Sequence, residues 1–138
     1  MKLPAIEAAN RLASASHGVM STLHPTRGID LVPVVYGWVD NFVVIPIDNI
    51  KQKHPGPLQR ELNLARDPRA TLLIEKWDAD DWSKLWWARA EMTFVQQPDT
   101  ARVGSLTDRL AEAFSQYQDR PFERLLVFQV IATSGWAA

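Results

Sequence analysis

Between Gly18 and Ile47 three β-rich runs follow one another, and the joints between them are too short for anything but tight reversals. Gly18 to Leu23 is a mixed, β-branched run; Ile29 to Trp38 is a long run rich in Val; Phe42 to Ile47 reads Phe-Val-Val-Ile-Pro-Ile. Runs of this kind suit a pleated, half-buried surface. His24-Pro25-Thr26-Arg27-Gly28 is a turn, with Pro fixing one torsion and Gly free to take positive φ. Asp40-Asn41 leaves room only for a hairpin reversal. Parallel pairing needs long crossovers that these joints cannot supply. The first half therefore reads as an antiparallel meander.

The rest of the chain supports that architecture. Ile6 to Ser16 reads as a short helix. Asp48 to Gly56 is a polar loop carrying Lys51, Lys53 and His54. From Pro57 the spacing of Leu58, Leu62 and Ala65 becomes helical, with Pro favoured at a helix start. Asp67-Pro68 stops that helix, because a residue before Pro avoids the α region. Ala70 to Trp77 and Leu85 to Val95 are further strands, and Leu125 to Ile131 is a last one. Pro98 to Gln118 places Val103, Leu106, Leu110, Ala113, Phe114 and Tyr117 on one helical stripe. Six short strands joined by turns predict a mainly β fold: a six-stranded antiparallel barrel with a few flanking helices, forming one domain over residues 1–138.

Charge and composition exclude several classes. The net charge of −1 provides no basic field for nucleic acid or an anionic membrane. No apolar run approaches the ~20 residues of a membrane-spanning helix. The absence of cysteine removes disulfides, thiolate metal sites and cysteine nucleophiles, and suits a reducing compartment. The opening Met-Lys-Leu-Pro-Ala-Ile-Glu lacks the apolar core of a signal peptide, so the expected location is cytoplasmic.

Hydrolytic chemistry finds no support. Asp78, Asp80 and Asp81 crowd one turn, where carboxylates ordinarily act as turn formers. His17, His24 and His54 show no paired-ligand spacing, and there is no nucleophile elbow, P-loop or GxGxxG. The cations say more. Lys51 and Lys53 precede a helix start, and Arg60 lies one turn inside that helix. Unpaired helix N–H groups beside two lysines would make a phosphate cradle; a solvated basic loop explains the same residues equally well. Six tryptophans are too many for a small barrel to bury. Trp86 and Trp87 must point to opposite sheet faces, and the excess suits a dimer interface.

Leu31-Val32-Pro33-Val34, followed by a strand and the Lys51/Lys53 loop, is similar to the pyridoxamine 5′-phosphate oxidase-like split-barrel flavoproteins. So is the run from Leu58 to Asn63 with Asp67-Pro68-Arg69-Ala70-Thr71-Leu72-Leu73. Asp81-Trp82-Ser83-Lys84-Leu85-Trp86-Trp87-Ala88-Arg89 and the ending Ser134-Gly135-Trp136 resemble that family's deazaflavin (coenzyme F-420) dependent branch. The resemblance implies a homodimer with FMN or a deazaflavin bound between subunits. It implies a phosphate end on Lys51, Lys53 and Arg60, with Lys51-Gln52-Lys53 standing where relatives often carry Lys-Pro-Lys. The ring would lie along Pro33, Val34 and Val35 and over Pro46 and Ile47. Trp87, Arg89 and Trp136 would close the site from the partner. No vitamin-phosphate contacts can be placed on this chain.

In such a site the cofactor carries the redox step, so no acid–base residue or triad is expected. The expected activity is hydride transfer between bound cofactor and a small conjugated organic substrate. The rival is a non-catalytic FMN-, deazaflavin- or tetrapyrrole-binding protein on the same barrel. A lipocalin-like carrier of a neutral apolar ligand would leave Lys51 and Lys53 without a role.

Overall fold

A computed structural model describes residues 1–50 and 56–138 of the chain. The elements are α1 (Ala5–Ser14), β1 (His17–His24), β2 (Gly28–Val35), β3 (Gly37–Val39), β4 (Phe42–Asp48), α2 (Gln59–Arg66), β5 (Arg69–Lys76), β6 (Trp86–Phe94), α3 (Thr100–Ala113) and β7 (Phe122–Ala137). Among the described residues, seven strands form one antiparallel sheet in the order β2-β1-β5-β6-β7-β4-β3.

The seventh strand comes from the segment expected as one long strand. Its first half, β2, pairs with β1 at one edge of the sheet, and its second half, β3, pairs with β4 at the other. The two edges are therefore joined through Tyr36, and the sheet must curl until they meet. Tyr36 is the pin at that joint. It is 1% exposed, its amide donates to the Ser16 carbonyl, and its hydroxyl donates to the Leu12 carbonyl. Gly37 follows because a Cβ there would lie 3.2 Å from Val44 Cγ1, tighter than packing ordinarily allows.

β7 runs well beyond the expected Leu125–Ile131 because two partners extend it in succession: Phe122 to Gln129 pair with β4 and Phe128 to Ala137 with β6, so its backbone groups are satisfied along both halves. Alternation then decides burial. Ala70, Leu72 and Ile74 of β5 and Ala88, Ala90 and Met92 of β6 face inward, with Met20, Val43, Ile45, Ile47 and Phe128. Ala8 and Leu12, one helical turn apart on α1, are fully buried against the same core. A second cluster forms where Leu106 and Leu110 of α3 meet Val44, Val127 and Tyr117. Each leucine buried this way stabilises the fold by roughly 1.5–3 kcal/mol. Ala113, expected on that apolar stripe, is exposed because α3 ends there and the chain turns away.

Candidate functional site

β3 reaches only to Gly37, opposite Val44, and among the described residues no strand continues that pairing along Ile45 to Ile47 of β4. β2 is the other edge, bonded to β1 alone among the strands. Two stretches of strand edge, without a further strand beside them among the described residues, thus lie on either side of the Tyr36 joint, which also explains how two prolines fit inside strands. Pro has no N–H to give a ladder, and both Pro33 and Pro46 lie on an edge.

A cleft of about 340 Å³ opens there, lined by His17, Gly18, Pro33, Val34, Val35, Ile45, Pro46, Asp48, Arg60 and Tyr117. A second lobe of about 350 Å³ shares Val35, Asp48 and Tyr117 with it and continues towards the end of α3, past Ile50 and Phe114. The first lobe has flat apolar side walls, Pro33–Val35 opposite Ile45–Pro46, and one cation, Arg60, among its described lining residues.

Arg60 is held without full compensation. Its Nε is buried and has no hydrogen-bond partner among the described residues. Burial pulls the guanidinium below its ordinary pKa, against the opposing pull of the Glu61 and Asp48 charges. A buried donor left unpaired costs about 1–3 kcal/mol, so an anion that met this guanidinium would regain what folding gave up. Asp48, 4% exposed, accepts from the Ile50 amide at 3.2 Å and from the Tyr117 hydroxyl at 2.6 Å. Burial, then the hydrogen bond and charge of Asp48, pushes the Tyr117 phenol above its ordinary pKa. Tyr117 is further fixed by edge-on packing against Phe114 and Phe122, with centroids 5.4 and 5.0 Å away.

Of the residues expected at the site, the fold brings Pro33, Val34, Val35, Pro46 and Arg60 into one cleft. Ile47 is not among the residues lining the cleft; it is fully buried in the barrel core beside Ile45. Lys51 and Lys53 lie outside the described residues. Trp87, Arg89 and Trp136 do not join the cleft of their own chain. They cluster on the outer face of the sheet, Trp87 directly opposite Trp136, with the Arg89 guanidinium 5.2 Å from the Trp87 ring and its Nε bonded to Ser134 Oγ. Trp86 points the other way, packing against the core with Arg11 over its ring. His17, Asp48 and Tyr117 were missed. A carboxylate directly ending an apolar strand, as Asp48 does after Ile47, is the sequence signal that could have found one of them. The Asp78–Asp81 cluster is turn chemistry: Asp78 accepts from the amides of Asp80 and Asp81, and Asp81 caps the short turn at Ser83.

No protein-family model and no curated protein matches the chain. Solved structures do. A FAD-binding protein from Mesorhizobium loti superposes with a TM-score of 0.70 at 15% identity, covering 98% of this chain and 93% of that one. A candidate pyridoxamine 5′-phosphate oxidase from Corynebacterium glutamicum gives 0.59 at 12% identity, covering 100% and 98%. The fold is the split barrel. A heme binding protein from Mycobacterium smegmatis reaches 0.72 at 18% identity, covering 96% of this chain, which spans only 53% of that longer protein. At such identities what is shared is the fold alone: the mainly β, antiparallel barrel with flanking helices that was expected, with seven strands in place of six. Among the described residues, no helix of this split barrel is long and apolar enough to cross a membrane.

Proposed function

We propose that this split barrel binds a flavin or deazaflavin in the cleft between β2 and β4, and works as a homodimeric oxidoreductase on a small organic substrate. The observation that carries the reading is Arg60: a desolvated guanidinium whose Nε has no partner among the described residues, set beside apolar walls. That donor set fits a planar ring with an anionic tail, and the M. loti and C. glutamicum neighbours are consistent with it.

Bound there, the ring would supply the hydride chemistry. The chain's own residues bind, orient and exclude water. Pro33, Val34, Val35 and Pro46 offer the ring apolar surface, Arg60 pairs with the anionic tail, and the Tyr117–Asp48 hydrogen bond holds the wall common to both lobes. Lys51 and Lys53, in the stretch of sequence between β4 and α2, would add charge for a phosphate. The second lobe leaves room for substrate beside the ring.

The homodimer reading rests on the outer face. Ile29 and Leu31 are 63% and 69% exposed, Leu73 and Ile131 lie beyond them, and a groove of about 480 Å³ runs between Ser21, Leu23, Ile29, Thr71 and Ile131. A lone soluble domain rarely leaves such a face open to water. A second copy laid across it would cover these residues and bring its Trp87, Arg89 and Trp136 towards the first copy's site.

Titration of the purified protein with FMN and with a deazaflavin, read by tryptophan quenching, tests the proposal; binding at roughly micromolar strength or better is expected. No response to either refutes it. The M. smegmatis neighbour favours a second reading, a tetrapyrrole carrier without turnover. Heme binding with displacement of FMN, and no acceleration of cofactor reoxidation by added acceptors, would select it.

A further inference from the structure

α2 is an eight-residue helix, too short to hold its own shape in water, so tertiary contacts decide where Arg60 points. One contact is Leu64, 2% exposed, in the core. A second is an ion pair at the helix start. Arg124 of β7 donates to both carboxylate oxygens of Glu61, at 2.6 and 3.0 Å, while Glu61 accepts from the Leu58 amide at 2.7 Å. The third is Asn63, which is fully buried. Its Nδ2 donates to Thr22 Oγ1 at 3.0 Å and to Asp30 Oδ2 at 2.8 Å, and its Oδ1 accepts from Gln59 Nε2 at 2.9 Å. Thr22 belongs to β1 and Asp30 to β2, so one amide ties the helix to both strands of a hairpin. Asp30 is itself gripped by Arg27, at 3.0 Å to each oxygen.

A buried polar side chain is expensive unless satisfied, and a leucine in its place would need no partners of its own. What Asn63 adds over leucine is direction. Its bonds fix both the rotation and the height of α2 on the β1–β2 hairpin. Arg60, three residues earlier and less than one helical turn away, is aimed by that rotation at the far end of the same hairpin, beside Val34 and Val35. Guanidinium recognition of an anion depends on angle as well as distance.

We propose that Asn63 is a positioning residue: it sets the Arg60 guanidinium for the anionic tail of the ligand without touching that ligand. The inference rests on the cofactor reading above and assigns the discrimination between a phosphorylated ligand and its neutral counterpart to the Asp30–Asn63–Thr22 set.

The test compares FMN with riboflavin, which shares the ring and lacks the phosphate, on the full chain. Wild type should bind FMN the tighter of the two. In Asn63→Leu the FMN affinity should fall about tenfold, the scale of a misdirected charge-assisted bond, while riboflavin affinity stays within about twofold and the salt dependence of FMN binding flattens. Equal losses for both ligands, or no loss for either, would overturn the proposal in favour of a purely structural role. Thr22→Val, which keeps shape and removes one of the three bonds, provides the same comparison where Asn63→Leu does not fold; it should show the selective loss in smaller measure, and a proportional loss would overturn the proposal equally. Wild type that binds FMN no better than riboflavin would instead sink the Arg60 anion site itself, a separate result seen before any variant is made.

Discussion

The Tyr117 hydroxyl donates to Asp48 Oδ2 over 2.6 Å, joining the short turn after α3 to the last residue of β4 across the wall that both lobes of the cleft share. The two residues are 69 positions apart, so this contact exists only once the barrel has closed. Tyr117→Phe keeps the aromatic packing and withdraws one donor from a buried carboxylate. A loss of about 1–3 kcal/mol in denaturant stability is expected. A change within error would show that solvent replaces the phenol freely.

Glu61 gives the fold an acid limb. Burial raises its pKa, but the Arg124 hydrogen bonds, the Leu58 amide and the Arg124 and Arg60 charges outweigh burial and hold it below the ordinary 4.5. A carboxylate with a depressed folded-state pKa stabilises above its unfolded value, and that stability is lost as pH falls through the folded one. Melting temperature should therefore drop below about pH 4.5, and Glu61→Gln should flatten that part of the profile while lowering stability at neutral pH. Parallel profiles for the two proteins would contradict the assignment.

Gly18 sits where β1 crosses close to β5. A Cβ there would lie 2.5 Å from the Leu73 carbonyl oxygen, a backbone atom that cannot swing aside. Gly18→Ala should cost roughly 1–3 kcal/mol or more through forced strand displacement. Because Gly18 also lines the cleft, its ligand affinity should weaken alongside its melting temperature.

Leu31→Glu on the exposed outer face touches neither the core nor the cleft. If a second copy covers that face, the substitution should convert dimer to monomer in sedimentation while leaving the circular dichroism of the barrel unchanged. A wild type that sediments as a monomer at all concentrations would end the dimer reading.

The strands were legible because their signals are local. Alternation, β-branching and Pro/Gly/Asn turn chemistry act within a few residues, so β1, β4, β5 and β6 fall close to where the sequence places them. β7 was read short because its length is set by two neighbouring strands rather than by its own residues. The site was only partly legible. Pro33 to Val35, Pro46 and Arg60 are found at the cleft while Ile47 lies in the core, since nothing local says where along β4 the barrel opens.

By itself, the sequence determined an antiparallel β protein with short helices, alternating tryptophans at Trp86 and Trp87, and no hydrolytic or metal-ligand pattern, because each of these depends on near neighbours in the chain. Tertiary structure alone decided that one strand divides at Tyr36 to serve both edges of the sheet, that Asp48 meets Tyr117, and that Asn63 clamps the helix bearing Arg60. Those contacts span tens of residues. They arise from closure of the barrel, which brings together groups whose spacing along the chain carries no trace of the encounter.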